Sequence, residues 1–167
     1  MEGICREDLL TIKQQIGRWP KGITGIVRRC RYGYPVLIQS CPVIDEKPFP
    51  TLYWLTCPYL VKAVSRLESQ GWIHKLEERI ACDLVFKERY LNAHKVIRER
   101  RARLINDENI REKLDKVGSG GIKDLKRVKC LHLHLSDYLA GVDNPIGEAV
   151  LREIGTIECE PNEIMCK

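Results

Sequence analysis

Pro58 is the residue that most limits what this chain can fold into. It stands directly after an aromatic and β-branched run, Thr51 to Thr56 (TLYWLT), and one cysteine, Cys57. The run reads as a strand. Proline is tolerated in the first turn of a helix, where its missing N–H costs nothing. A strand must therefore turn into a helix at Cys57, and the helix runs to about Gln70, where Gly71 stops it. The N-terminus of a helix carries partial positive charge and free N–H groups. A thiolate at Cys57 is stabilised there and its pKa falls, which fits a nucleophile or a metal ligand. The bland alternative is a small apolar residue packed at a strand end.

Upstream, Glu7 to Ile16 has the apolar spacing of a helix, ended by Gly17 and Pro20. Ile23 to Cys30 and Pro35 to Ser40 are rich in Val and Ile, and the RYGY step between them predicts a hairpin. A proline-rich connection spans Pro42 to Pro50. Downstream the pattern is helical from Trp72 to about Ile105, with a break near Asp83. Asn106 or Asp107 caps a short helix to Val117, and GSGG (118–121) is a linker or a close-approach loop. Asp124 caps a helix from Leu125 to Ala140, and Asn144-Pro145 turns into a last helix to Ile154. The expected fold is α+β, with a small N-terminal antiparallel sheet packed on a mostly helical C-terminal part. Residues 1–154 form one domain and 155–167 a loosely held tail.

A second cysteine block, Arg127 to Gly141 (RVKCLHLHLSDYLAG), lies about seventy residues beyond the first. On a strand, Cys130, His132 and His134 share one face. Leu125, Val128, Leu131, Leu135 and Leu139 have helical spacing, which favours a helix. Cys130, His134 and Asp137 then line one face, with Arg127 near it and His132 at the apolar border. A cysteine–histidine–aspartate line suits a metal or an acid–base array. The alternative for each histidine is a core hydrogen bond or a merely polar position.

The chain carries eight cysteines in 167 residues. None forms a CxxC pair, so any metal site gathers single ligands from distant segments. Cys30 ends a predicted strand, and Cys159 and Cys166 sit in the tail; any of the three could complete a tetrahedral site. Cys5 and Cys82 look incidental, and His74 and His94 look like surface or boundary residues. The N-terminus has no apolar signal core and no apolar run is long enough to span a bilayer, so the expected location is the cytoplasm, with no membrane association. Cytosolic thiols stay reduced, which leaves metal binding, catalysis or burial to explain the cysteines.

The net charge of +5 is mild. Lys95, Arg98, Arg100, Arg101 and Arg103 crowd one helical stretch against Glu99 alone. Such a helix can bind RNA or an acidic partner, although a charge run is more often a solvated face. Glu88, Asp107 and Glu108 weaken the field, and no aromatics interleave the basic residues. The GSGG loop lacks the lysine of a phosphate-binding loop. Ser65-Arg66-Leu67-Glu68 follows Cys57 in the same helix, where its charges either support a site or pair across the helices.

Several stretches together resemble the bacterial domain-of-unknown-function family 501: Gln15-Ile16-Gly17-Arg18, RRCRYGYPVLI, PFPTLYWLTCP, SRLE, RVKCLHLHLSDYLAG and DNPIG. They extend from about Asp8 to Gly147. The resemblance implies a bacterial, soluble, cytoplasmic protein and supplies no reaction. Its pattern has cysteines where Cys30, Cys57 and Cys130 stand and a histidine at His132. Many members carry histidine at the position of Asp137, and some have a second cysteine where Tyr32 stands here. Aspartate favours zinc or iron more weakly than histidine does.

The leading expectation is a metal site that gathers Cys57 and Cys130 with His132 or His134 and Cys30, holding zinc or, next, an iron–sulfur cluster. The rival is an enzyme with Cys57 or Cys130 as thiolate nucleophile and Arg127 and Lys129 binding an anionic substrate. A third is a non-catalytic module that binds RNA or protein through Lys95, Arg98 and Arg101. The last is that the cysteines are simply core.

Overall fold

A computed structural model describes residues 3–166. Helix α1 (Arg6–Ile16) precedes strands β1 (Ile23–Arg29) and β2 (Pro35–Ser40). A small ribbon of β3 (Val43–Ile44) and β4 (Lys47–Pro48) leads to β5 (Tyr53–Leu55). Then come helices α2 (Pro58–Ser69), α3 (Trp72–Cys82), α4 (Leu84–Ala102), α5 (Glu108–Asp115), α6 (Leu131–Leu139) and α7 (Pro145–Ile154). The fold is α+β as expected. No helix among the described residues is long and apolar enough to cross a membrane.

The main sheet is antiparallel in the order β1-β2-β5. Its middle strand reads Val36, Leu37, Ile38, and all three are buried. An unbroken apolar strand of this kind must be covered on both faces. Ile38 joins Ile26 and Ile12 under α1. Val36 and Leu37 join Leu55, Leu60, Leu131 and Leu135 in the main core under the helices. The sheet is thereby held between one N-terminal helix and the helical part.

Helix α6 lies at the centre. Seven of its nine residues are buried, including Leu131, Leu133, Leu135 and Leu139. It packs on β5, α2 and α7. Helix α7 approaches closely because Gly147 has no side chain: a Cβ there would overlap the His134 carbonyl and Tyr138. Asn144 starts α7 by accepting from the Ile146 and Gly147 amides at 3.1 and 3.2 Å.

Two expectations fail in α4 and before α6. Arg101 is not part of a basic surface; it is fully buried. Its guanidinium donates to the Pro50 and Gly118 carbonyls at 2.9 and 3.2 Å, to Val117 at 2.8 Å, and to Leu114. Arg100 likewise donates to the Ala140 carbonyl at 2.9 Å. These carbonyls include the end of α5, where helical acceptors lack partners, so the charge serves as a C-terminal clasp. Lys95 remains exposed and Arg98 half-buried.

The helix expected from Leu125 begins only at Leu131. Two carboxylates intercept the backbone first. Glu77 of α3 accepts from the Val128 amide at 2.9 Å, and Glu68 of α2 accepts from the Leu131 amide at 2.6 Å. Cys130 is held extended, at φ −164° and ψ 153°. Asp124 caps only a local turn, through the Lys126 amide at 3.0 Å.

Replacing Gly147 by alanine should destabilise the protein by about 2 kcal/mol or more, because backbone stands in the way of the new methyl. Arg101→Met should cost about 3 kcal/mol, since it leaves several buried carbonyls unpaired. Urea denaturation followed by far-ultraviolet circular dichroism checks both. A cost below about 0.5 kcal/mol, the range of surface substitutions, would contradict the packing described.

Candidate functional site

Because the chain before α6 is extended, Cys130 takes the N-cap position of that helix. That position lies at the positive end of α6, although the thiol makes no capping hydrogen bond. His132 lies one residue into the first turn and turns toward α2. There its Nε2 meets the Val61 carbonyl at 3.2 Å and the Ser65 hydroxyl at 3.3 Å. Its Nδ1 meets Glu68 Oε1 at 3.2 Å. A carbonyl only accepts, so Nε2 carries a proton and donates it to Val61. That leaves the Nδ1 side of the ring toward Glu68.

One atom each from Glu68, Cys130 and His132 lie within 4.8 Å of one another. All three residues are half-buried. Burial alone would disfavour a charged imidazole, but the Cys130 thiol, the Glu68 carboxylate and the Val61 carbonyl outweigh it and raise the His132 pKa. The group thus attracts positive charge. It opens into a cavity of about 320 Å³, walled mostly by Tyr53, Trp54, Leu55, Val61 and Leu133. Lys129 and Cys130 line its polar side. The Lys129 ammonium donates to the Gly120 carbonyl at 2.8 Å.

The other expected site residues lie elsewhere. Arg127 is exposed and pairs with Glu77 at 3.2 Å, outside the cavity lining. His134 turns into the core, not toward Cys130. Its Nδ1 is 3.1 Å from the Asn144 amide nitrogen, which donates to it. Cys57 does cap α2, yet its thiol is pushed up to about 11, opposite to the expectation. Burial is the main cause; the nearby Leu60 and Tyr59 amides offset only part of it, and no capping hydrogen bond forms. Neither Cys57 nor Cys30 belongs to the group around Cys130, and the sulfurs that bear on Cys57 are Cys166 and Cys159. Glu68 completes the group that sequence reasoning attached to Cys57 or His134. Its signal was the SRLE stretch, where a carboxylate in the last turn of α2 reaches the start of α6.

This is an α+β domain with a cysteine–histidine–carboxylate group at the mouth of a largely apolar cavity. The chain belongs to the family described as Protein of unknown function (DUF501), whose model matches residues 26–152. No curated protein and no solved structure matches it.

A second polar group lies wholly inside the core. His94, expected at the surface, is buried and stacks edge-on against Tyr90, with ring centres 4.5 Å apart. Its ring centre is 5.7 Å from that of His134. The Ser119 amide donates to His94 Nδ1 at 3.0 Å. Asp137 is buried in the same core; neither of its oxygens meets a donor in hydrogen-bond geometry among the described residues, although the Ser119 side chain stands close enough to favour its charged form. Burial, with Arg98 and Arg101 adding, lowers His94 to about 4. Burial, with His94 adding, lowers His134 to about 3. Burial raises Asp137 to about 7, while Ser119, Arg100 and Arg101 offset part of the shift.

These shifts oppose one another. An unfolded histidine titrates near 6.5, so unfolding at pH 5 takes up a proton at each of His94 and His134. An unfolded aspartate titrates near 3.9, so the same unfolding releases the Asp137 proton. The histidine contributions are lost as pH falls from about 6.5 toward 4, and the Asp137 contribution weakens as pH rises from about 4 toward 7. Removing the opposing group should therefore steepen acid destabilisation. Asp137→Asn should increase the slope of stability against pH between about 4.5 and 6 by about 1.4 kcal/mol per pH unit, the value of one proton. Urea titrations at several pH values give this slope, and an unchanged slope would mean that Asp137 is ionised in the folded protein.

Proposed function

We propose that Glu68, Cys130 and His132 hold a single zinc ion and that the protein is a metal-dependent enzyme acting on a small substrate in the adjoining cavity. The observation that carries this reading is the Val61 carbonyl behind His132. Metal-bound histidines almost always donate their other ring N–H to a carbonyl or carboxylate, which fixes the tautomer and aims the free nitrogen at the ion. Here Nε2–H donates to Val61 and Nδ1 stands beside Glu68 and Cys130. Three protein ligands with an open position are the pattern of catalytic zinc, whereas structural zinc closes its fourth position with protein. A bound zinc supplies a Lewis acid and an activated water. The apolar walls suit a small hydrophobic or aromatic body. Lys129, at the cavity edge, suits an anionic group on it.

A second reading shares the same residues without an ion: Cys130 as thiolate nucleophile, His132 as its base and Glu68 orienting the ring. The raised His132 pKa favours it. The basic helix carries less, because Arg101 is buried and Arg100 is occupied by carbonyls. The bacterial cytosol, implied by the family resemblance, is the proposed setting.

Protein purified without added metal and then equilibrated with zinc should lose about one equivalent when His132 becomes alanine, and a similar amount for Glu68→Gln. Inductively coupled plasma mass spectrometry reads the content. If both variants keep the wild-type zinc and Cys130 alone reacts rapidly with iodoacetamide, the ion is not there and the nucleophile reading stands.

A further inference from the structure

The C-terminal segment carries Cys159 and Cys166 back to the junction at which β5 becomes α2. After Gly155 ends α7 at φ 83°, Ile157 packs on the main core and Cys159 is buried. The Tyr32 hydroxyl donates to the Cys159 carbonyl at 3.2 Å, and the Arg31 amide donates to Glu158 at 3.0 Å. Both donors belong to the turn that follows Cys30. Farther on, Cys166 shares a crevice with Gln15 and with Pro58, the residue after Cys57. The Gln15 amide donates to the Cys166 sulfur at 3.3 Å and to the Pro35 carbonyl at 2.8 Å. That same carbonyl accepts from the Thr56 hydroxyl at 3.2 Å, one residue before Cys57. Cys30, at the other end of this turn, packs against the core that contains Cys57.

Four cysteines from three distant parts of the chain thus converge. After burial, Cys166 and Cys159 are what raise Cys57, and Cys159 and Cys30 are what raise Cys166. All four are free thiols. The remaining four are apart from them in kind: Cys130 serves the cavity site, Cys5 and Cys82 are exposed, and Cys41 lies at the far end of β2.

We propose that Cys30, Cys57, Cys159 and Cys166 form a structural zinc site of four thiolates that clasps the C-terminal segment to the β5–α2 junction. Zinc takes four cysteines in tetrahedral geometry when it is structural. Each thiol gives up a proton on binding, so the ion and four thiolates carry a net charge of two minus. One donor to sulfur is already in place, the Gln15 amide at Cys166, and the backbone amides at the start of α2 lie near Cys57. Such outer-shell hydrogen bonds orient ligands and disperse their charge. A coordinating cation also inverts the local electrostatics, turning mutual repulsion of thiolates into attraction to one centre. Zinc–sulfur bonds near 2.3 Å put sulfurs roughly 4 Å apart. Among the described residues only the Glu68 group is gathered within 4.8 Å. No three of these four sulfurs lie within 4.8 Å of one another, so ligation requires the tail, which carries two of them, to draw in on the ion.

This site is independent of the one at Cys130, and the two are separable by substitution. The full chain is compared with a Cys159→Ser/Cys166→Ser double variant and with Cys130→Ser, each loaded with zinc alone or cobalt alone and passed through gel filtration. The double variant should lose about one equivalent of zinc, while Cys130→Ser keeps that equivalent. In the cobalt form the double variant should lose most of the sulfur-to-cobalt charge-transfer absorbance, because this site supplies most of the thiolates. Zinc should slow cleavage of the tail by a glutamate-specific protease, at Glu158, Glu160 or Glu163, in the wild type and in Cys130→Ser, and not in the double variant. Equal zinc content and equal cobalt spectra in the wild type and the double variant would overturn the proposal. So would a zinc-free wild type whose mass reports a disulfide among these cysteines.

Discussion

The carboxylate of Glu68 is the hinge of this structure. It reaches from the last turns of α2 to the Leu131 amide at 2.6 Å and decides where the central helix begins. A hydrogen bond to a charged acceptor is worth about 1.5–3 kcal/mol, enough to compete with one more turn of helix. Glu77 of α3 does the same three residues earlier, at Val128. Because both amides are taken, residues 127–130 stay out of the helix and Cys130 is extended. Cys130 is left at the helix start and His132 in its first turn, facing α2.

The site follows from that single choice of start. Had α6 begun at Leu125, Cys130, His134 and Asp137 would share a face and His132 would point elsewhere. Instead the block is divided between two environments. Cys130 and His132 join Glu68 beside the cavity. His134 and Asp137 turn inward to His94, Tyr90 and Asn144. The same short stretch thus supplies a half-buried group that draws positive charge and a buried one that resists it.

Much of the fold was legible locally. The hairpin, a strand within Thr51–Thr56 (Tyr53–Leu55 in the structure), the Pro58 start, the break at Asp83 and the Asn144-Pro145 turn all rest on neighbours in sequence, and all stand in the structure. Arg101 and His94 were not legible, because a charge or an imidazole on a helical stretch gives no local sign of which carbonyls will surround it. The thiol of Cys57 shows the same limit. Its place at a helix start was read correctly, but the helix start stabilises a thiolate by less than full burial penalises it.

By itself, the sequence determined the α+β architecture, the strand-to-helix turn at Cys57 and the family to which the chain belongs. Periodicity, proline and glycine act over a few residues and survive any packing. Only the tertiary structure decided which cysteines keep company. It set Glu68 rather than Cys57 beside Cys130 and His132, and it brought Cys159 and Cys166 back toward Cys30 and Cys57. The physical reason is that ligand groups are assembled by contacts between elements tens of residues apart, and a carboxylate that captures one backbone amide can shift an entire helix start.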